Sequence, residues 1–234
     1  MSEAVWTLHA DAAQMAQAVA DEVAALLRER LQASGQALLA LPGGRTPVAA
    51  FERLARAPLD WSRVTLIPTD ERLVPETHAL SNVVLLRRHF DRTGARIVPL
   101  LDAEPDPHHA AGERADRVLQ TLPWPPDLVW LGVGSDGHTA SIFPGPDLHA
   151  ALDAPAQRRA IGVLPDPLPA EAPVARVTLT RAAIASARRL LLTLTGEAKR
   201  AVVTRALRGD PPDSPIGRVL ASARMPVAIH WSPT

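Results

Sequence analysis

The chain has no cysteine among its 234 residues, which excludes disulfides, thiolate nucleophiles and thiolate metal ligands. It also lacks net charge. The 25 Lys and Arg balance the 25 Asp and Glu, removing the bulk electrostatic case for nucleic acid or an anionic membrane as partner. No apolar run approaches the ~20 residues that span a bilayer; Leu190–Leu194 is among the longest. Met1 to His9 carry neither a cationic region nor a long apolar stretch, so no secretory signal is expected, and a cytoplasmic location suits the missing cysteine. What the sequence does have is 47% apolar residues, too many for disorder. Its length can bury one substantial core, so a single domain over 1–234 is expected.

Short apolar runs alternate with helical periodicity. Met15, Val19, Val23, Leu26, Leu27 and Leu31 recur at helical spacing and predict a helix over about 11–33, ended by Gly35. Thr46 and Pro47 read as N-cap and first-turn proline of a second helix, with Val48, Phe51 and Leu54 inward. Strands are predicted at 4–8, 37–41, 64–68, 97–100, 128–133, 161–163, 177–180, 190–195 and 227–231. Further helices are predicted at 81–90, 108–122, 197–207 and 216–222, with proline-rich loops at 104–107, 123–126, 165–173 and 211–215. Strands that are apolar throughout, alternating with helices, predict an α/β fold with a mostly parallel sheet sandwiched between helices.

In such folds ligands bind beyond the carboxyl ends of the strands, and four segments lie there. Pro42-Gly43-Gly44-Arg45-Thr46-Pro47 is a strand, a glycine turn and a helix start; it reads either as an ordinary tight turn or as an anion cradle of backbone N–H groups. It matches neither nucleotide-binding glycine motif. Thr69-Asp70-Glu71-Arg72 follows an apolar strand and reads either as a solvated charged turn or as part of a site. Gly132-Val133-Gly134-Ser135-Asp136-Gly137-His138-Thr139 places a histidine in a glycine-rich turn after another apolar strand. There an imidazole can meet a ligand and shuttle protons, and Asp136 can hold it in one tautomer. Arg176 opens a late strand, and Lys199 sits in the first turn of a helix, where a cation is unfavourable unless an anion is bound. The remaining histidines, His9, His78, His89, His108, His109, His149 and His230, lack such settings and are taken as structural. His108-His109 has no metal-ligand spacing, so no metal is expected.

Gly43-Gly44-x-Thr46-Pro47, Asp70-Glu71-Arg72-x-Val74-Pro75, Ser81-Asn82, Asp136-Gly137-His138-Thr139-Ala140-Ser141-x-Phe143-Pro144, Arg176-x-Thr178-Leu179-Thr180 and Gly196-x-x-Lys199 occur in this order. Together they resemble the 6-phosphogluconolactonase family over nearly the full length. The resemblance implies the three-layer fold shared with glucosamine-6-phosphate deaminases. It also implies hydrolysis of 6-phospho-D-glucono-1,5-lactone to 6-phosphogluconate, in the oxidative pentose phosphate pathway and without cofactor. By that likeness His138 is the general base, Arg72 lies near the reacting end, and Gly43, Gly44, Thr46, Arg176 and Lys199 cradle the phosphate. Family members usually carry Ser where Arg45 stands, so a hydroxyl donor is exchanged for a charged one.

The chemistry suits these residue types. A δ-lactone is an activated ester, and a neutral histidine can deprotonate water for attack on its carbonyl. Sequence leaves open whether Asp70 or Asp136 orients His138. A deaminase, whose related histidine segment continues Ala-Phe-Asn-Glu, is disfavoured by Thr139-Ala140-Ser141-Ile142-Phe143. A non-catalytic sugar-phosphate sensor is disfavoured because His138 and Lys199 are both present. The expected partner is a small sugar-phosphate lactone, with the chain a monomer or small homo-oligomer.

Overall fold

The computed structural model describes residues 3–101 and 107–234; the loop expected at 104–107 lies, except for Pro107, outside the described residues. In chain order the elements are β1 (Ala4–Leu8), α1 (Ala12–Ser34), β2 (Ala37–Leu41), α2 (Val48–Leu54), β3 (Val64–Pro68), β4 (Asp70–Arg72), α3 (Asn82–Phe90), β5 (Arg96–Ile97) and α4 (His108–Gln120). They continue with β6 (Leu128–Leu131), α5 (Leu148–Leu152), β7 (Ala160–Val163), β8 (Arg176–Leu179), α6 (Arg181–Ala185), β9 (Leu190–Thr195), α7 (Glu197–Ala206), α8 (Pro215–Ser222) and β10 (Val227–Ser232).

Seven strands pair in parallel in the order β1-β10-β9-β6-β2-β3-β5. Successive strand residues point to opposite faces, and both faces are apolar. Leu39, Leu41, Leu66 and Trp130 pack with Val19, Val23 and Leu27 of α1 and Phe51 of α2. Leu38, Ala40, Val129 and Leu192 pack instead with Ala115 and Leu119 of α4, Val203 of α7 and Val219 of α8. The result is a helix–sheet–helix sandwich with two cores. The long first helix starts where the Asp11 carboxylate accepts from Gln14 N and stops at Gly35, whose φ of 74° is left-handed.

The departures from the sequence reading have local causes. The strands expected at 161–163 and 177–180 form as β7 and β8, but they leave the main sheet. They pair antiparallel with each other, and β8 pairs with β4, a strand not anticipated in the charged Asp70-Glu71-Arg72 segment. The strand expected over 97–100 shrinks to Arg96–Ile97; Val98 N still donates to Leu66 O, and Pro99 then has no N–H to continue. The strand expected to 133 stops at Leu131, where Gly132 begins the histidine turn. Thr46 does not cap α2: the helix begins at Val48 with Pro47 at the cap position and no side-chain cap bond. The five-residue helices α5 and α6 were too short to be recognised by periodicity.

Candidate active site

The carboxyl ends of β2, β3 and β6 and the start of α7 open on one cleft of about 870 Å³. All the site residues expected from sequence line it: Gly43, Gly44, Arg45, Thr46, Asp70, Arg72, Asp136, His138, Arg176 and Lys199. Segment 166–172, between β7 and β8, walls the same cleft.

The histidine turn is held by backbone and small side chains. Gly134 N donates to His138 O at 2.9 Å, and Gly137 N to Gly134 O at 3.1 Å. A Cβ on Gly134 would lie 2.2 Å from His138 Nδ1, so only glycine lets the ring fold back over the turn. Ala140 has a φ of 49°, a left-handed conformation costly for a residue with a Cβ. Thr139 Oγ1 donates to Gly132 O, and Ser141 N donates to Thr178 Oγ1, tying this strained corner to β6 and β8.

Asp136 Oδ1 is 2.6 Å from His138 Nδ1 and also accepts from His138 N. Burial pushes the Asp136 carboxyl up, but the His138 hydrogen bond and charge outweigh it, leaving its pKa below the ordinary value. An ionised carboxylate only accepts, so Nδ1 carries a proton, and in the neutral form of the ring Nε2 is the acceptor. Of the two carboxylates left open by sequence, Asp136 is the one within hydrogen-bond distance of the His138 ring. Asp70 accepts instead from Ser141 Oγ at 2.6 Å and Thr69 Oγ1 at 3.1 Å.

The other part of the site is buried. Arg176 is 4% exposed; its Nη2 donates to Ala172 O at 3.0 Å, and its guanidinium lies 4.9 Å from the Phe143 ring centroid. That ring also stacks on His138, with centroids 4.0 Å apart. Burial lowers the Arg176 pKa, with Asp70 opposing and Arg72 adding to the shift. Arg72 donates from Nη1 to Leu80 O at 2.6 Å. The Nε atoms of Arg72 and Arg176 are buried without a partner among the described residues, which is costly unless a ligand anion completes them.

Glu71 organises the backbone behind them. Its carboxylate accepts from Arg72 N, Asn82 N, Val83 N and Ser81 Oγ. Burial raises its pKa, partly countered by the Asn82, Val83 and Arg72 N–H groups, while Asp70 adds to the rise. Asn82 Nδ2 donates to Asp70 O at 2.7 Å. The Asn82 amide packs so closely on the glycine loop that a Cβ on Gly43 would meet Oδ1 at 1.9 Å. Lys199, in the first turn of α7, has a pKa lowered chiefly by burial and then by Arg45, with Asp136 opposing. Arg45 and Lys199 therefore belong to one cationic pole. Glu71, Asn82, Ser141 and Phe143 lay inside the sequence motifs without an assigned role, because only the fold shows what their side chains touch.

The other histidines stay out of the cleft. His9 bonds His230, which bonds Glu22, and His78 accepts from Leu80 N. His108 and His109 acquire a neighbour that sequence spacing did not offer, the Asp147 carboxylate.

A family profile described as glucosamine-6-phosphate isomerases/6-phosphogluconolactonase matches residues 10–231. The chain is 44% identical to a 6-phosphogluconolactonase of Pseudomonas aeruginosa, over 95% of this chain and 92% of that protein. It is 42% identical to one of Pseudomonas putida, over 96% and 91% respectively. Its fold superposes on the crystal structure of a 6-phosphogluconolactonase from Shewanella baltica with a TM-score of 0.89, at 34% identity and 98% coverage of both chains.

Proposed function

The chain belongs to the glucosamine-6-phosphate isomerase/6-phosphogluconolactonase family, and within it we propose that it hydrolyses 6-phospho-D-glucono-1,5-lactone to 6-phosphogluconate. The single observation that carries the catalytic reading is the Asp136–His138 pair, 2.6 Å apart on the cleft wall. Nε2 of the neutral His138 accepts a proton as a water oxygen attacks C1. The tetrahedral intermediate carries its oxyanion toward the Arg72 guanidinium or a backbone N–H. When the C1–ring oxygen bond breaks, the imidazolium returns the proton to the ring oxygen. The products are the C5 hydroxyl and a C1 carboxylic acid, which ionises. Asp136 stabilises the transient imidazolium and fixes its tautomer.

The phosphate sits with Arg176, Lys199, Arg45 and the N–H groups of Gly43, Gly44 and Thr46. Its binding energy orients the ring over His138, so it contributes to the rate as well as to affinity. On this reading residues 1–234 act as one catalytic unit in the cytoplasm on a free sugar-phosphate lactone, without organic cofactor or nucleic acid. No helix among the described residues is long and apolar enough to cross a membrane.

The test is a lactonase assay against spontaneous hydrolysis, run in EDTA, beside an ammonia assay on glucosamine 6-phosphate. Lactone opening well above background with no ammonia is expected, because Thr139–Phe143 offers no carboxylate for amine chemistry. Ammonia release at comparable rates would overturn the reading.

A further inference from the structure

Outside the cleft, two separate chain segments bring a second set of chemistry-bearing side chains together. His108 and His109 open α4, and Asp147 stands at the start of α5. One ligating atom from each lies within 4.8 Å of the others. We propose that His108, His109 and Asp147 bind a divalent transition-metal ion of the zinc type.

The geometry fits an ion better than a plain ion pair. His108 Nε2 and Asp147 Oδ2 are 3.9 Å apart, too far for a hydrogen bond. Adjacent ligands of a tetrahedral zinc, at ~2.0–2.2 Å from the metal, lie about 3.3 Å from one another. The 3.9 Å separation exceeds that spacing by about 0.6 Å, so side chains must shift to close on an ion. The two imidazole rings already lie side by side, with centroids 4.0 Å apart. Two imidazoles and a carboxylate are ligands of intermediate hardness that favour zinc and its neighbours over calcium or magnesium. The start of α4 opposes a cation through the helix dipole, and the Asp147 charge offsets this.

Asp147 Oδ2 also accepts from Leu164 N at 2.7 Å. A metal here would pin three things at once: the start of α4, the turn before α5, and the beginning of the connection whose residues 166–172 wall the catalytic cleft. The ion would brace that wall from behind, since none of the three ligands lines the cleft. The proposal does not depend on which reaction the cleft performs.

The full-length protein, stripped with EDTA and dialysed, should be titrated with Zn²⁺ alone by calorimetry and melted with and without the ion. One saturable site per chain is expected. The melting temperature should rise by roughly 5–10 °C at a hundredfold excess over Kd. His109→Ala removes only an exposed ring, and Asp147→Asn keeps an acceptor for Leu164 N. Both should melt like wild type in EDTA yet lose at least about 10–100-fold in Zn²⁺ affinity, since even outer-shell partners cost that much. His138→Asn should bind Zn²⁺ normally. The proposal fails if no saturable site appears, if both variants bind like wild type, or if His138→Asn abolishes binding and so places the ion at Asp136–His138.

Discussion

His138 stands on a glycine-bounded turn with its side chain 30% exposed and Asp136 beside it 48% exposed, whereas Arg176 is 4% and Glu71 2% exposed. The two regions meet at Phe143, whose ring touches both His138 and Arg176, yet they are built on different physical terms. A general base must be reached by water and must change protonation state each turnover, so a deeply desolvated imidazole would be handicapped. A group that holds a fixed anion gains from the opposite treatment. In a low-dielectric wall its donors are pre-aimed, and losing water costs nothing at the moment of binding. The difference predicts that damage to the turn is chemical and local, while damage to the wall is both functional and structural.

The largest effect expected is on the turn. His138→Asn retains a polar side chain but cannot accept a proton, and kcat should fall roughly 10²–10⁴-fold. Affinity for 6-phosphogluconate and the melting temperature should stay near wild type, because the wall is intact. Near-normal kcat in this variant would show that the histidine only shapes the loop, with the base elsewhere.

Next in size are the two cations. Arg176→Ala and Lys199→Ala should each lower kcat/KM by about 1.5–3 kcal/mol and reduce the preference for phosphorylated over plain gluconolactone. The comparison separates them in stability. Arg176→Ala loses the buried bond to Ala172 O and the packing on Phe143 and should also destabilise the fold by about 1–3 kcal/mol, read by denaturant titration. Lys199→Ala removes a partly solvated group whose charge burial disfavours and should melt at or slightly above wild type. Equal stabilities for the two variants would erase the distinction drawn between wall and rim.

The same contrast explains what sequence could reveal. His138 was legible as a residue of the cleft because glycines beside an apolar strand mark an exposed turn, with Asp136 two positions away. Most strands and long helices were legible from periodicity, since both faces of the sheet are covered. The wall was not. Asp70-Glu71-Arg72 reads locally as a solvated charged turn; only pairing with β8, brought from far along the chain, makes it a buried strand. The same holds for the bond from Ser141 to Asp70 and for Asp147 beside His108: contacts between distant segments leave no periodic trace.

The smallest expected effect is also the most cleanly assignable. Lys199 is the only lysine in the chain, which also has no tyrosine or cysteine. Between about pH 8 and 11 it is therefore the only side chain whose ordinary titration range is crossed. Burial, reinforced by Arg45 and opposed by Asp136, places its pKa below the usual lysine value. A depressed pKa means that the unfolded chain binds more protons than the ligand-free fold between the two values, so stability rises with pH across that window. Ligand binding runs the other way. A phosphate dianion favours the ammonium, so binding above the depressed pKa must take up a proton, and affinity for 6-phosphogluconate should fall as pH rises. The phosphate itself titrates near pH 6 and is fully dianionic throughout. Calorimetry at several alkaline pH values, in buffers of different ionisation enthalpy, should show this proton uptake in the wild type. Lys199→Arg holds its charge to higher pH and should flatten the alkaline loss of affinity without proton uptake. An unchanged alkaline profile in Lys199→Arg would mean that the lysine does not meet the phosphate, leaving Arg45 and Arg176 as the cations that hold it.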